Sequence, residues 1–357
     1  MTETNPSTAD DRERIWRAVA DLHHDMFLGL VLTVLSRKGP DAAAEFVFNI
    51  FRRQQRERFR AGLVKLGLDR DPPAVAAAKY HYLSNKIGGV DVEFMPEHDG
   101  KAWIRYAPPR WIWKGVAMCA IPRKVSEAML WGWHANNGVM LGRLSLGFVC
   151  TKQGVDAQDG LEGYYFDHGR DLEPHERLRF ARDEEAPMFD PARAPVLASD
   201  AWPAKRLARA HRNYAMEYAR SAMLEAANTF GPIEGEGLMR AAFRIVGMQG
   251  YRATAAAFGM AHAGEDDFGR FLSTLIEGQG DAFERLPSRD ERQIAVQQGW
   301  RLMEGAGALV APGLAAWGDL LQGLGSGHSR RCRVLVSSSQ SESAAGFEIS
   351  WEPHRRA

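Results

Sequence analysis

Residues 39–67 read GPDAAAEFVFNIFRRQQRERFRAGLVKLG, and residues 231–259 read GPIEGEGLMRAAFRIVGMQGYRATAAAFG. The two stretches have equal length and are related by a constant offset of 192 positions, which is 231 minus 39. Each begins with Gly-Pro and ends with Gly, as helices often do, because proline fits a helix start and glycine fits the position after its end. Several pairs at this offset agree in residue type: Phe51 with Phe243, Arg52 with Arg244, Phe59 with Tyr251, Arg60 with Arg252, and Ala61 with Ala253. The pattern predicts an internal duplication.

The correspondence extends outward on both sides of these helices. In the first half it predicts an amphipathic helix, the quoted helix, a short helix, a strand hairpin, another helix and a second hairpin, at residues 12–37, 39–67, 78–89, 91–106, 126–141 and 144–167. In the second half the equivalents are residues 205–229, 231–259, 269–280, 282–297 (with a turn at Pro287), 314–324 and 331–351. We therefore expect an α+β fold of two tandem repeats, each a helical hairpin plus short helix packed on a small antiparallel ββ-α-ββ sheet.

The predicted organisation is a first repeat unit at residues 1–171, a linker at 172–203 that is rich in Pro, Arg, Asp and Glu, and a degenerate second copy at 204–357. Two small sheets, or one sheet shared between the repeats, are both compatible with this pattern. The first unit is the candidate active-site unit, for the reason given below.

Composition restricts the classes of partner. Lys plus Arg (45) equals Asp plus Glu (45), so no net charge attracts nucleic acid or an anionic membrane. The polar first residues do not resemble a signal peptide, and the apolar run at 27–35 is too short to span a membrane. Three scattered cysteines favour a reducing cytoplasm over a disulfide framework. We expect a small-molecule substrate, no nucleic acid and no membrane.

Residues 230–259, FGPIEGEGLMRAAFRIVGMQGYRATAAAFG, and residues 146–166, LGFVCTKQGVDAQDGLEGYYF, give the chain a further likeness. It resembles the L-2-amino-thiazoline-4-carboxylic acid hydrolase-like family. The resemblance implies hydrolytic opening of a cyclic amidine or a related small heterocyclic C–N bond. Two units in one chain depart from the single-unit arrangement of that family.

Residues 105–137 hold four tryptophans, a cysteine, a histidine and two asparagines, whereas the second-half counterpart near 297–325 is mostly Gly, Ala and Leu. If Ser126 caps the following helix, His134 projects from an otherwise apolar face. A histidine can act as general base near neutral pH, and a thiolate can act as nucleophile. We therefore take His134 and Cys119 as candidate catalytic residues, with a hydrogen-bonded structural histidine and a buried structural cysteine as the alternatives.

The candidate substrate-binding residues surround these two in the sequence. They are polar, aromatic or potentially charged side chains of the first half: Tyr80, His81, Asn85, Trp111, Trp113, Trp133, Asn136, Asn137, Cys150 and Lys152. Tryptophans can form the walls of a pocket for a flat ligand, although they more often belong to the core. The pair His23-His24 lacks a third ligand at a suitable spacing and is expected on a helix surface, and no cofactor motif occurs, so we expect no metal and no cofactor.

Three functional hypotheses follow. The first is a hydrolase or lyase acting on a small heterocyclic or amide/amidine-like metabolite at a non-peptide C–N bond. The alternative is a non-catalytic binding protein for an apolar or aromatic small ligand, which a pocket without His, Cys or Lys would favour. The third is a scaffold that forms a homodimer through the apolar residues 27–35.

Overall fold

The computed structural model describes residues 9–260, 267–340 and 345–352 and has an α+β fold. The chain forms two compact units. Residues 34–203 form one, called here the central unit, and residues 1–33 together with 204–357 form the other, the terminal unit.

The predicted helices are present with small changes of boundary, except the one predicted at 126–141, which is broken. Helix α1 covers Ala9–Lys65 and is interrupted at Gly39, whose φ of 86° is non-helical, and α2 covers Pro73–Ile87. The remaining helices are α3 (Arg123–Gly132), α4 (Asn137–Leu141), α5 (Ala204–Phe230), α6 (Pro232–Ala257), α7 (Asp267–Gln279) and α8 (Ala311–His328). Gly231, before α6, has a φ of 80°, close to that of Gly39.

The division into units differs from the predicted boundaries at 171 and 204. The first 33 residues belong with the C-terminal half, where the side chains of Ile15 and Val19 fill the space that the missing side chain of Gly278 leaves. Residues 172–203 do not act as a separate linker, because they contain strand β5 (Leu178–Phe180), which pairs in parallel with the strand at Phe148–Cys150. Local composition signalled a linker, but buried Leu178 ties this segment to the sheet.

The central sheet has five strands. They are β1 (Val92–His98), β2 (Lys101–Tyr106), β3 (Leu146–Lys152), β4 (Leu161–Asp167) and β5, in the order β1-β2-β4-β3-β5. Directly opposed residues share a face, and one such row forms a buried cluster: Met95, Trp103, Tyr164 and Val149. Residues of the 181–189 segment, including Phe189, pack against this row and cover that face. The helices of the unit pack against the opposite face of the sheet.

The terminal sheet is separate, which decides between the two sheet arrangements that the sequence allowed. Its strands are β6 (Ala282–Arg289), β7 (Arg292–Gln298), β8 (Val334–Gln340) and β9 (Ala345–Trp351), in the order β6-β7-β9-β8. This order matches that of the first four strands of the central sheet. The turn predicted at Pro287 is instead at Asp290 and Glu291, both with positive φ, while Pro287 lies within the edge strand β6, where a missing N–H is tolerated.

The helix predicted at 126–141 is broken into α3, a short 3₁₀ turn at His134–Asn136, and α4. Helix α3 already begins at Arg123, so Ser126 is a buried residue inside the helix and does not cap it. At the break, a Cβ on Gly132 would lie 2.6 Å from the backbone oxygen of Phe48, so α3 passes very close to α1. The break turns His134 and Asn137 towards the sheet, with consequences described below.

Helix α1 is by length and composition able to cross a membrane, and 72% of its most apolar window is buried inside the chain. Core helices have the same composition, and this burial fits such a role. Phe27, Leu30, Val31 and Val34 are fully buried, so residues 27–35 do not provide the exposed apolar face on which the dimer hypothesis depended. His23 and His24 are also buried, contrary to the surface position expected for them.

Candidate functional site

Four polar side chains from different elements meet on the helix-covered face of the central sheet. Asn137 Nδ2 donates to Tyr165 Oη at 2.7 Å and lies 3.1 Å from His81 Nε2, while His134 Nδ1 lies 2.6 Å from the same tyrosine oxygen. His81 comes from α2, His134 from the 3₁₀ turn, Asn137 from α4 and Tyr165 from β4. Each is at most 5% exposed. We call these four residues the buried polar cluster.

Further contacts fix the cluster from two sides. Tyr106 Oη on β2 lies 3.0 Å from His81 Nδ1. Gln55 on α1 donates to Asn137 Oδ1 at 3.3 Å and to the backbone oxygen of residue 136 at 3.1 Å, and its own amide oxygen accepts from Arg52. The hydrogen bonds link α1, α2, α4 and two strands, so they orient every member of the cluster.

The contacts of His81 require a neutral imidazole. Since Asn137 Nδ2 can only donate, the Nε2 atom facing it must accept, and Nδ1 then carries the proton towards Tyr106. The rings of His81 and His134 stack with centroids 4.3 Å apart, which disfavours a charge on either.

Burial shifts the pKa values of the cluster in the direction of its neutral forms. Desolvation lowers the pKa of His81 to about 3. Desolvation, followed by the charges of His81 and Arg110, lowers the pKa of His134 well below its ordinary value. Desolvation likewise raises the pKa of the Tyr165 phenol well above its ordinary value. Both histidines are therefore uncharged at neutral pH.

Aromatic side chains enclose the cluster. Tyr80 packs edge-on against Phe59 at 4.9 Å and against the His81 ring at 5.5 Å, and Trp133 packs against Tyr80 and His81 at 6.4 and 5.7 Å. Phe148 on β3 lies 4.4 Å from the ring of His134. The candidate binding residues Tyr80 and Trp133 thus contribute to the packing around the two histidines.

The two candidate cysteines lie in different environments. Cys119 is exposed, in the 3₁₀ helix Gly115–Ala120. Cys150 is buried on β3, and desolvation raises the pKa of its thiol to about 12, which leaves it protonated. Lys152 forms an ion pair with Glu185 at 3.2 Å and lies 3.9 Å from Glu162, so its charge is balanced by carboxylates. Cys150 is therefore a protonated thiol inside the sheet, and the ammonium group of Lys152 is engaged by Glu185 and Glu162.

The other two candidate asparagines form hydrogen bonds with nearby backbone oxygens. Asn85 donates to the backbone oxygen of His81, one helical turn earlier, at 2.8 Å, and Asn136 donates to the backbone oxygen of residue 131 at 2.8 Å. Trp111 is partly buried. The structure thus brings His81, His134, Asn137, Tyr80 and Trp133 together, and it engages Asn85 and Asn136 with backbone.

A cavity of about 240 Å³ lies in the central unit, between the segment that follows β2, helix α3 and the β3–β4 hairpin. Most of its walls are apolar, and its polar side chains are few. The lining residues are Pro108, Pro109, Arg110, Ile112, Trp113, Gly115, Met118, Ser126, Met129, Gln153, Gly154, Val155, Gln158, Gly160 and Leu161. Trp113 is buried with a φ of 59°, a left-handed conformation that large side chains rarely adopt.

One residue connects the cavity with the buried polar cluster. Arg110 lines the cavity, and its guanidinium carbon lies 4.5 Å from the centre of the Tyr106 ring, a cation–π contact. The hydroxyl of Tyr106 in turn contacts His81. The cluster itself does not line the cavity; of the candidate residues, Trp113 alone is among the lining side chains.

The sequence did not single out the other contributors to this site. Tyr106 and Tyr165 occur as ordinary alternating strand residues, Gln55 lies in a charged helix stretch, and Gln153 directly follows β3. Tyr106 and Tyr165 share a face because β2 pairs with β4 in a fixed register, and this pairing is a long-range contact that alternation within one strand does not predict. Nothing local distinguishes Gln153.

Within residues 9–260, 267–340 and 345–352, no group of three or more His, Cys, Asp or Glu side chains is arranged to hold a metal ion. In comparisons with known proteins, no family model, no curated protein and no solved structure matches the chain.

Proposed function

We propose that this protein binds a small, flat and largely apolar ligand in the cavity of the central unit, without transforming it. The residue composition of the cavity lining is the main support for this proposal. Among the described residues that line the cavity there is no His, Cys or Lys, while Trp113, Met118, Met129 and Leu161 supply aromatic and flexible apolar surface. Such walls bind by contact area and shape, and a few polar groups orient the ligand.

The state of the two histidines supports binding over acid–base catalysis. A general base needs a pKa near the working pH and must reach the reacting proton. His81 has its pKa lowered to about 3, and its two ring nitrogens face Asn137 and Tyr106. The buried polar cluster then acts as a structural support behind the cavity.

A hydrolase or lyase acting on a small heterocyclic C–N bond is the second candidate. It is supported by the family resemblance and by the path of contacts from the cavity through Arg110 and Tyr106 to His81. In this alternative, a movement that opens the site would allow His81 to exchange a proton with a bound substrate.

We also propose that the chain is an internal duplication whose second copy is degenerate. The two sheets have equivalent strand orders, and Gly39 and Gly231 precede equivalent helices with φ values of 86° and 80°. Edge strands β1 and β6 contain Pro96 and Pro287 at corresponding places. A cytoplasmic location is proposed as well, supported by three unpaired cysteines.

The binding proposal can be tested with a variant that fills the cavity. We expect indole to receive magnetisation from the wild-type protein in saturation-transfer NMR, and Met129→Trp to abolish the transfer. Met188 is 93% exposed, so Met188→Trp adds the same side chain outside the cavity and should retain it. Equal transfer in all three proteins would contradict the proposal.

The second candidate has its own readout. Incubation with 2-aminothiazoline-4-carboxylate, followed by one-dimensional NMR, should leave the ring signals unchanged if the protein only binds ligands. Loss of these signals with the wild type but not with His81→Gln would favour the hydrolase instead.

A further inference from the structure

One buried side chain in the cavity has no role in the fold described above. Gln153 lines the cavity, is fully buried and directly follows β3. Neither its amide nitrogen nor its amide oxygen has a hydrogen-bond partner anywhere in residues 9–260, 267–340 and 345–352. Buried polar atoms are nearly always paired, so an amide with both atoms unpaired in a cavity wall points to a partner from outside the chain.

The position of Gln153 is fixed by its own backbone. Its N–H donates to Gln158 Oε1 at 2.9 Å, and its carbonyl accepts from the N–H of Asp156 at 3.0 Å. Gln158 Oε1 also accepts from Arg182 at 3.3 Å. The chain around Gln153 is thus held while its side chain is left unpaired, which is the arrangement of a preorganised recognition group.

The chemistry of an amide defines its complement. The side chain presents one acceptor oxygen beside a donor NH₂, and both are satisfied together by a ligand edge that has an adjacent N–H and C=O, as in a lactam or a carboxamide. Among the described residues that line the cavity, Arg110 is the one charged side chain and none is a carboxylate, so a cationic ligand is disfavoured.

The size and walls of the cavity set the rest of the ligand. A volume of about 240 Å³ equals about eight times the share of one water molecule in the liquid, which suits a fused two-ring molecule. Trp113 offers an aromatic wall, and Ile112, Met129 and Leu161 add apolar surface.

We infer that Gln153 is the specificity-determining residue of the cavity and that it selects a small, neutral lactam or carboxamide with a flat apolar body. This inference rests on the proposed binding function and names its ligand class. It assigns to Gln153 the paired hydrogen bonds that fix the orientation of the ligand.

The test compares two ring-matched probes by isothermal titration calorimetry. Isoquinolin-1(2H)-one carries the adjacent N–H and C=O, whereas isocoumarin has a ring oxygen in place of the N–H. The wild-type protein should bind the lactam at least about tenfold more tightly than the lactone, because a site built for a donor leaves polar groups unpaired when the donor is missing.

The decisive variant is Gln153→Met, which keeps the length of the side chain and removes its polar pair. It should bind both probes with similar affinity, so the ratio of lactam affinity to lactone affinity falls to about one. Gln298→Met, at an exposed glutamine of β7 in the terminal unit, is the matched control and should keep the wild-type preference. Circular dichroism verifies that each variant is folded.

The outcomes separate the two levels of the proposal. If the wild type binds both probes equally well, or if Gln153→Met keeps the lactam preference, the assignment of Gln153 is overturned while ligand binding stands. If neither probe binds up to millimolar concentration and Met129→Trp changes nothing in the indole experiment, both the assignment and the binding function are overturned.

Discussion

Acid should destabilise the central unit through His81, well before its carboxylates are protonated. In the folded chain the pKa of His81 is lowered to about 3, mainly by desolvation, whereas in the unfolded chain it has its ordinary value of 6.5. The folded state therefore binds fewer protons than the unfolded state between these values. Stability from the neutral histidine is complete above pH 6.5 and is lost as the pH falls from 6.5 towards 3.

The size of the effect follows from the pH interval. Each pH unit below 6.5 costs about 1.4 kcal/mol, so lowering the pH from 7 to 5 should remove about 2 kcal/mol of the free energy of unfolding through His81 alone. His134 acts in the same direction, because its pKa is also lowered by burial. Against a typical total of about 5–15 kcal/mol, such a loss is easily measured.

Urea unfolding at pH 7 and pH 5, followed by circular dichroism, provides the assay. His81→Gln removes the titrating group, so its stability at pH 7 should be lower, but its loss between pH 7 and pH 5 should be about 2 kcal/mol smaller than that of the wild type. His175→Gln, at an exposed histidine, should behave as the wild type. Equal wild-type stability at the two pH values, or an equal loss in His81→Gln, would show that His81 is not the group whose protonation destabilises the unit.

Three further expectations concern the same unit. Tyr165→Phe removes the acceptor of the buried Asn137 amide and should lower the free energy of unfolding by about 1–3 kcal/mol in urea titrations. In the native protein, Ellman's reagent should react rapidly with Cys119 alone, since the other two thiols are buried with pKa values of about 12, and Cys119→Ala should abolish the fast phase. Gly163→Ala would place a methyl group 2.3 Å from a carbonyl oxygen of the neighbouring strand and should lower the melting temperature by several degrees, whereas Gly237→Ala, with open space around it, should not.

Secondary structure was predictable where its causes are local. Gly-Pro pairs mark the starts of α6 and of the second half of α1. The prediction failed at α3, where Ser126 satisfied the pattern for a cap although the helix begins at Arg123. A cap pattern competes with packing, and the close approach of Gly132 to α1 is a long-range contact that the pattern does not contain.

The sequence alone predicts the α+β class, the order of the main helices and hairpins, and the concentration of polar and aromatic residues in the first half, because these depend on neighbours along the chain. It also picked out His81, His134 and Asn137, which the fold joins through Tyr165. Only the folded chain shows that these groups are buried and neutral, and that an unpaired Gln153 lines a cavity. Burial, pKa and cavities arise from segments distant in sequence, so no local pattern could reveal them.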